Sequence, residues 1–308
     1  MDLDSQVREI QHKYKIVGRS AELKKILIAY HSRKNILLEG EIGTSKTTLA
    51  RAFSAYMDKN FIRVDGSEDV LSHVLTGYFD PPIVLEKGYN EDAFIYGPLS
   101  KAMKAGDVLF INELNRLPES TQNVLLSALD EGFLDIPKLK QLYSKNGFLV
   151  ITTINPRAHV GTSSLGEALK DRFVWLNLAY QNEEEEIEII IQKLTDFLIV
   201  TGSGIKKRSI VEIEILKKIA TMAAKISRIT RNHPNLQRSA SIRAGIDLAT
   251  LMLTYIINHS NALPLETVEF WYEAAEMALS TKIELEESSE SSLKDVIHDC
   301  VHSVLKDF

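Results

Sequence analysis

The chain has 308 residues, of which 44% are hydrophobic and 25% are charged, and its formal net charge at pH 7 is −6. This composition supplies enough apolar side chains for packed cores, and two domains are expected at this length. The negative charge excludes a global basic field that would attract nucleic acid or an anionic membrane. A single cysteine, Cys300, excludes an internal disulfide, and the first residues lack a secretion signal. We therefore expect a cytoplasmic protein.

Apolar runs of strand length recur along the first half of the chain, separated by sequence that is compatible with helices. These runs are Asn35–Glu39, Phe61–Asp65, Val108–Asn112, Phe148–Thr152 and Phe173–Leu178. Such alternation predicts an α/β fold in which a parallel sheet carries helices on both faces. Four consecutive apolar residues in the third run are typical of a strand that is buried on both faces.

The pattern changes at about Tyr180, where helical apolar spacing replaces the strands. Helical spacing without a convincing strand is found at Glu183–Ile191, Glu212–Ser227, Ser241–Asn258 and Leu265–Leu279. We predict an α/β domain at residues 1–179, an all-helical lid at 180–283, and a polar linker with a C-terminal amphipathic helix at 284–308. We expect that helix to pack on the helical domain, and the alternative is a partner-binding element.

The segment Gly40-Glu-Ile-Gly-Thr-Ser-Lys-Thr47 lies between the first strand and a helix-compatible stretch, which is the context of a phosphate-binding loop. Gly40 and Gly43 let backbone N–H groups turn toward an anion, and Lys46 adds a full positive charge for the outer phosphates. Thr47 offers a hydroxyl to Mg²⁺. Ser45 occupies a position that usually holds glycine, and it fits if its φ is negative or mildly strained. A chance glycine-rich turn is the alternative.

The third strand ends at Asn112 and Glu113, at the sheet edge where ligands bind in open α/β folds. Asn112 stands where a P-loop ATPase normally carries the aspartate that organises magnesium. Its amide oxygen can accept a hydrogen bond from metal-bound water, but it carries no charge. The sequence therefore predicts an ATPase or, alternatively, a nucleotide-dependent switch with slow hydrolysis. From the sequence alone, Asn112→Asp is expected to tighten Mg²⁺ binding and to raise the rate of hydrolysis.

Seven phrases occur in a specific order and spacing. They are Ile16-Val-Gly-Arg19, Gly40 to Thr47, Gly97-Pro-Leu99, Asn112-Glu-Leu-Asn-Arg116 followed by Thr121-Gln122, Val150-Ile-Thr-Thr-Ile-Asn-Pro156, Asp171-Arg-Phe173 and Ser241-Ile-Arg-Ala244. Over residues 16–282 the sequence thereby resembles the MoxR family of AAA+ ATPases, including the related GvpN and CoxD-type groups. Asn112 departs from the family pattern.

The resemblance implies a five-stranded sheet with the spatial order 5-1-4-3-2, a helical lid, and a hairpin at Pro81–Pro98 inserted into the second helix. It also implies ATP and Mg²⁺ as cofactors, a homo-hexamer, and remodelling of a client or of a von Willebrand factor A domain protein. A DNA-acting motor is the further alternative, because helicases of the MCM type share the insert-bearing clade. The net charge argues against it.

The same resemblance assigns roles to individual residues. Nucleotide contacts fall on Gly18, Arg19, Gly40, Gly43, Thr44, Ser45, Lys46, Thr47 and Thr48, and metal contacts on Thr47 and Asn112. Glu113 would orient the attacking water, and Asn155 would be the sensor-1 residue. Arg243 would be the sensor-2 arginine of the lid, and Arg172 the arginine finger offered to a neighbouring subunit. The alternatives are a turn-shaping role for Asn155 and ordinary ion pairs for the two arginines.

Three other features have ordinary explanations. His298 and His302 are four residues apart on a predicted helix, but Cys300 points elsewhere and no fourth ligand is apparent, so we expect a structural or solvated role rather than metal binding. The basic stretch Lys225–Arg231 has no interleaved aromatic residues, so we expect a solvated face rather than a nucleic-acid site. The acidic run Glu183–Glu186 suits the start of a helix and is expected to need no partner.

Overall fold

The computed structural model describes residues 2–155, 165–200, 213–259 and 263–306. The chain divides into two units, Met1–Ala179 and Tyr180–Phe308. The division falls where the apolar spacing changes from strand-like to helical. Residues 284–306 belong to the second unit rather than to a separate segment.

A five-stranded parallel sheet forms the centre of the first unit. In chain order its strands are β1 (Asn35–Glu39), β2 (Phe61–Asp65), β5 (Val108–Asn112), β8 (Leu149–Ile154) and β9 (Phe173–Asn177). Their spatial order is β2-β5-β8-β1-β9, which confirms the predicted order. The fourth strand begins and ends later than predicted, and the fifth ends one residue earlier.

Helices cover both faces of this sheet, as predicted. They are α1 (Leu3–Tyr14), α2 (Ser20–His31), α3 (Lys46–Tyr56), α4 (Ser72–Thr76), α5 (Pro81–Lys87), α6 (Pro98–Ala105), α7 (Glu119–Asp130) and α8 (Glu167–Lys170). Alternate side chains of β1 enter different cores: Ile36 and Leu38 pack on one face and Leu37 on the other. The whole run Val108–Ile111 is buried, which confirms the expectation for the third strand.

The hairpin predicted at Pro81–Pro98 is present, but only its second strand lies within those bounds. Its strands are β3 (Gly77–Phe79) and β4 (Phe94–Tyr96), which pair antiparallel between α4 and α6. Residues Pro81–Lys87 form α5 instead, because Pro81 is well suited to the first turn of a helix. Gly77 allows the entry into the hairpin, since its φ is +116° and a Cβ there would lie 2.3 Å from the Ile95 carbonyl oxygen. A second small hairpin pairs β6 (Phe133–Leu134) with β7 (Leu142–Tyr143).

The second unit is helical around one apolar core. Its helices are α9 (Glu183–Val200), α10 (Ile213–Ile229), α11 (Ile242–His259), α12 (Leu263–Glu266), α13 (Val268–Leu279) and α14 (Leu293–Leu305). The C-terminal helix α14 buries Val296, Ile297 and Val301 in the common core, so it packs on the helical unit as expected. Among the described residues, no helix is both long enough and apolar enough to cross a membrane.

The expectation of a strand-free second domain was wrong. A short antiparallel pair joins β10 (Leu236–Arg238) to β11 (Glu284–Leu285). Strands of two and three residues leave no periodic signal in the sequence, and the pairing partners lie far apart in the chain. The segment that the composition marks as a polar linker therefore begins with a paired strand.

Candidate nucleotide-binding site

The loop Gly40–Thr47 connects β1 to the start of α3. The Lys46 ammonium donates to the carbonyl oxygens of Gly40 at 2.6 Å and of Glu41 at 2.8 Å, and the Thr44 hydroxyl donates to Glu41 O at 2.9 Å. These contacts hold the lysine within the loop. Because the first N–H groups of α3 also face this loop, the segment has the charge and the donors of a phosphate site.

Ser45 adopts a left-handed backbone. Its φ is +68° and its ψ is 17°, and it directly precedes α3. Of the two alternatives stated for Ser45, a negative φ or a mildly strained backbone, the structure has the strained one, because the loop must turn sharply before the helix begins. Serine in this region carries a cost of about 1 kcal/mol that glycine would avoid.

Two contacts fix the loop against the rest of the first unit. A Cβ at Gly40 would lie 2.4 Å from the carbonyl oxygen of Leu178, so only glycine allows this approach. Arg19 is buried, and its guanidinium donates to Thr44 O at 3.1 Å and to Ala179 O at 2.8 Å. Gly18 and Arg19 both have positive φ, near +60°. The structure thus shows Arg19 bracing the loop, and its predicted place near the adenine stays a prediction.

Asn112 and Glu113 lie at the carboxyl end of β5. This strand pairs with β8, which pairs in turn with β1, the strand that leads into the loop. The Asn112 amide donates to Asp65 Oδ1 at 3.1 Å, and its Oδ1 accepts from the Thr153 hydroxyl at 3.1 Å. Glu113 has a φ of +56°, and its carboxylate accepts from Arg116 Nη1 at 2.9 Å. Both side chains are only partly buried, so a ligand at this edge can reach them.

Three of these contact residues were not found from the sequence. Asp65 ends β2, Thr153 is the next-to-last residue of β8 and Arg116 follows β5. Polar residues near the ends of strands are a signal that the sequence did contain. Which of them reach Asn112 and Glu113 depends on strand order and register, since Asp65 lies directly opposite Asn112 in the parallel pair.

Two further predicted site residues lie in the first unit. Asn155 follows β8 and is partly buried, and the residue after it, Pro156, lies outside the described residues. Arg172 precedes β9, where Nη2 donates to Asp130 Oδ2 at 2.9 Å and Nη1 to Ala168 O at 3.0 Å. Its side chain is 29% exposed. The sensor-1 and arginine-finger roles stay predictions.

Arg243 lies in the first turn of α11 and is exposed. It belongs to the second unit, and its predicted sensor-2 role stays a prediction. Thr47 is partly buried in the first turn of α3, and Thr48 next to it is exposed.

The acidic run at the start of α9 has partners, contrary to expectation. Glu186 is buried, and its two oxygens accept from Arg228 Nη1 at 3.0 Å and from Arg231 Nη1 at 2.8 Å. Arg231 also stacks on Tyr180, with 3.9 Å between the guanidinium carbon and the ring centroid. A buried carboxylate needs such partners, so two arginines of the basic stretch serve the fold of the helical unit.

The oxygen donors at the sheet edge fit Mg²⁺. Thr47 offers a hydroxyl and Asn112 an amide oxygen, which are oxygen ligands that this ion accepts, and the carboxylates of Asp65 and Glu113 add negative charge nearby. Across the described ranges, no group of three or more His, Cys, Asp or Glu side chains converges as an all-protein metal site.

Trp175 lies on the edge strand β9, which pairs with β1 on the side away from β8. It is 60% exposed and donates from Nε1 to Glu39 Oε2 at 2.5 Å. Glu39 is the last residue of β1 and directly precedes Gly40. The edge strand is therefore tied to the residue from which the loop departs.

Sequence comparison identifies a family model and related proteins. A profile of the AAA domain, dynein-related subfamily, matches residues 35–173. The uncharacterized protein YojN of Bacillus subtilis is 32% identical over 245 residues, which cover 76% of this chain and 73% of YojN. The uncharacterized protein SH1500 of Staphylococcus haemolyticus is 34% identical over 227 residues, covering 72% of this chain and 80% of that protein.

Solved structures show the same fold at lower identity. A crystal structure from Cytophaga hutchinsonii has a TM-score of 0.51 and 22% identity, covering 99% of this chain and 95% of that one. RuvB of Thermotoga maritima, a Holliday junction branch migration motor, has a TM-score of 0.52 and 20% identity, covering 85% and 70%. Likeness at this identity supports the fold, a P-loop sheet with a helical region.

Proposed function

Because this chain belongs to the AAA+ ATPases, with a domain of the dynein-related subfamily and relatives such as YojN, we propose that it binds and hydrolyses ATP with Mg²⁺. The observation that carries the proposal is the loop at the end of β1, in which Lys46 is held by Gly40 and Glu41. Asn112 and Glu113 lie at the carboxyl end of β5, which only β8 separates from β1 in the sheet. The residues proposed to bind the nucleotide and to orient the water therefore lie at the same end of the parallel strands.

In the proposed reaction, Lys46 and the N–H groups of α3 bind the outer phosphates. Bound Mg²⁺ supplies charge neutralisation at the transferred phosphoryl group, and Thr47 and Asn112 are the residues that would hold it. Glu113 would accept a hydrogen bond from the attacking water and orient it. For that role its carboxylate must leave Arg116, and since this pair is half exposed, its separation costs at most about 1 kcal/mol.

The work coupled to hydrolysis is, in this proposal, remodelling of a partner protein by a MoxR-type homo-hexamer in the cytoplasm. A von Willebrand factor A domain protein or a metalloenzyme complex is the proposed kind of client. The hairpin region supports a partner-binding role, because it exposes large apolar side chains that do not serve a core. These side chains are Tyr78, Leu85, Tyr89 and Ile95.

A nucleotide-dependent switch with slow hydrolysis is the second candidate. Asn112 favours it, because an amide lacks the charge that helps to hold hydrated Mg²⁺. Comparing the equilibrium binding of ATP with steady-state phosphate release separates the two: the switch binds ATP and assembles, with little release.

A DNA-acting motor is less well supported. RuvB shares only the fold with this chain, and Arg228 and Arg231 of the basic stretch are bound to the buried Glu186. Neither arginine is therefore available for phosphate contacts without opening that site.

Replacing Lys46 tests the proposed nucleotide site. Lys46→Ala removes the full charge in the loop, so ATP affinity should fall on the order of 100-fold, while the fold persists. Isothermal calorimetry measures the affinity, and circular dichroism checks the fold. Lys101→Ala is the matched control, because Lys101 is an exposed lysine on α6, and it should bind ATP as the parent does. Unchanged ATP affinity in a folded Lys46→Ala protein would falsify the proposal.

A further inference from the structure

The Asn112 amide is held from both sides. On one side Nδ2 donates to Asp65 Oδ1, and on the other Oδ1 accepts from Thr153 Oγ1, each at 3.1 Å. Thr153 Oγ1 in turn accepts from the backbone N–H of Glu113 at 2.9 Å. One chain of hydrogen bonds therefore runs from the Glu113 backbone through Thr153 and Asn112 to Asp65, and bonds aligned in this way reinforce one another.

Asp65 determines which way the amide points. An ionised carboxylate only accepts hydrogen bonds, so the group facing it must be the NH₂ of Asn112. The amide oxygen is then directed to Thr153, and it keeps a second lone pair for another donor. If residue 65 were neutral, the amide could turn over. The orientation that Asn112 needs in order to accept from metal-bound water is thus imposed by the neighbouring strand.

The backbone keeps Asp65 at this place. Asp65 and Asn112 are register partners in the parallel pair of β2 and β5, and the Gly66 N–H donates to Asn112 O at 2.7 Å. A Cβ at residue 66 would lie 2.2 Å from the carbonyl oxygen of Glu113. Glycine therefore allows the two strand ends to touch, so the carboxylate of Asp65 stays beside Asn112.

Asp65 is charged and accessible. Its hydrogen bonds with Arg63, and to a smaller extent its bond with Asn112, hold the pKa of Asp65 below its ordinary value. Its side chain is 59% exposed and that of Arg63 is 41% exposed, so the arginine screens the charge without enclosing it. Arg63 binds both oxygens, whereas Asn112 binds Oδ1 alone.

We propose that Asp65 supplies, from the adjacent strand, the negative charge that Asn112 lacks, and that the two side chains act as one carboxylate–amide unit toward the Mg²⁺ of the nucleotide. Asp65 is a positioning residue here, because it acts through the amide of Asn112. The proposal rests on the proposed ATP site, and it concerns only how that site meets the metal.

This arrangement changes what is expected of Asn112→Asp. A carboxylate at position 112 would face Asp65 at the present hydrogen-bond distance, so two like charges would compete and one would bind a proton more readily. The single variant should therefore not tighten Mg²⁺ binding, contrary to the expectation from the sequence alone. The double exchange of Asp65→Asn with Asn112→Asp keeps one carboxylate and one amide in contact, with their positions swapped. It should therefore restore Mg²⁺ binding.

A comparison of four proteins tests the proposal: the parent, Asp65→Asn, Asn112→Asp and the double exchange. Fluorescence of a labelled ATP analogue gives the nucleotide affinity in EDTA. A Mg²⁺ titration of the same complex gives the Mg²⁺ concentration at which the fluorescence change is half-maximal. Affinity in EDTA should agree within about twofold across the set. The half-maximal Mg²⁺ concentration should rise about tenfold in Asp65→Asn, not fall in Asn112→Asp, and return to within about threefold of the parent in the double exchange.

An unchanged Mg²⁺ requirement in Asp65→Asn, or tighter Mg²⁺ binding in Asn112→Asp alone, would overturn the proposal. Loss of nucleotide binding by the parent in EDTA and in Mg²⁺ would instead overturn the proposed function, so the two failures are distinguishable. Thermal unfolding of each variant checks the fold, and the isosteric exchanges at the half-exposed position 65 should shift the midpoint little.

Discussion

Glu186 in the helical unit and Asp65 in the α/β unit both bind arginine, but only Glu186 does so out of contact with water. The Glu186 side chain is 2% exposed and is bound by two arginines, whereas that of Asp65 is 59% exposed and is bound by one. A buried charge that loses its partner is costly, and an exposed pair opens easily. The charge of Glu186 thus stabilises the fold of the helical unit, whereas the charge of Asp65 stays accessible to a ligand.

The largest expected effect concerns Arg172, which forms a partly exposed ion pair with Asp130 in the α/β unit. Arg172 is bound to Asp130 within one chain, and in the proposed ring it would leave Asp130 for the neighbouring subunit's nucleotide. Arg172→Ala should therefore lower ATP hydrolysis by about 10³-fold or more. Mixing it with Glu113→Gln should restore part of the phosphate release, because some interfaces then hold an intact arginine and an intact glutamate.

Asp130→Ala is the matched control, since it breaks the same ion pair but leaves Arg172 in place. We expect it to change hydrolysis only a few-fold. If native mass spectrometry shows mixed rings and the mixture regains no activity, Arg172 does not act in trans. Equal losses in Asp130→Ala and Arg172→Ala would mean that the pair is structural.

The second expected effect concerns the buried ion pairs of Glu186 in the helical unit. Glu186→Gln removes the charge that Arg228 and Arg231 share, so the helical unit should lose about 3 kcal/mol of stability, the low end for a broken buried pair. The low end applies because the Arg228 side chain is 32% exposed. Urea unfolding measures the loss. Glu284→Gln, which breaks the exposed pair with Arg238 in the same unit, should cost less than about 1 kcal/mol.

The smallest effect concerns Cys300, another buried group of the helical unit. Burial raises the pKa of its thiol from 9.0 to about 11. Because the folded-state pKa is the higher one, the associated stability is present below pH 9 and is lost as the pH rises toward 11. The loss is at most about 3 kcal/mol. Unfolding free energies of the parent should fall more steeply over this range than those of Cys300→Ala, and parallel curves would contradict the assignment.

The sequence was a good guide where local chemistry decides the outcome. Apolar runs located β1, β2 and β5 with their bounds, and the glycine and lysine spacing located the loop between β1 and α3, whose binding of phosphate stays a prediction. The strand order came from the family resemblance, since the residues alone predict a parallel sheet but not which strands are adjacent. The hairpin bounds were missed because Gly77, rather than Pro81, begins its first strand.

The site was less predictable than the fold, because its contacts join distant parts of the chain. Asp65 and Asn112 are 47 residues apart, and only the register of β2 against β5 makes them neighbours. The same reason hid the partners of Glu186, since Arg228 lies near the end of α10 and Arg231 just beyond it. Ser45 shows a different limit of sequence patterns: the loop fixes the backbone angle, and serine adopts it at a cost.

The two tryptophans of the chain fall one in each unit, which gives the molecule its own optical probes. Trp271 is fully buried in the helical core, whereas the indole of Trp175 is largely in solvent and bonded to Glu39, next to the phosphate loop. Their emission should differ, with Trp175 contributing the red-shifted part of the spectrum. In a Trp271→Phe protein, Trp175 would be the sole tryptophan, and a change in its quenching on addition of nucleotide, under excitation selective for tryptophan, would report loop movement without any attached dye.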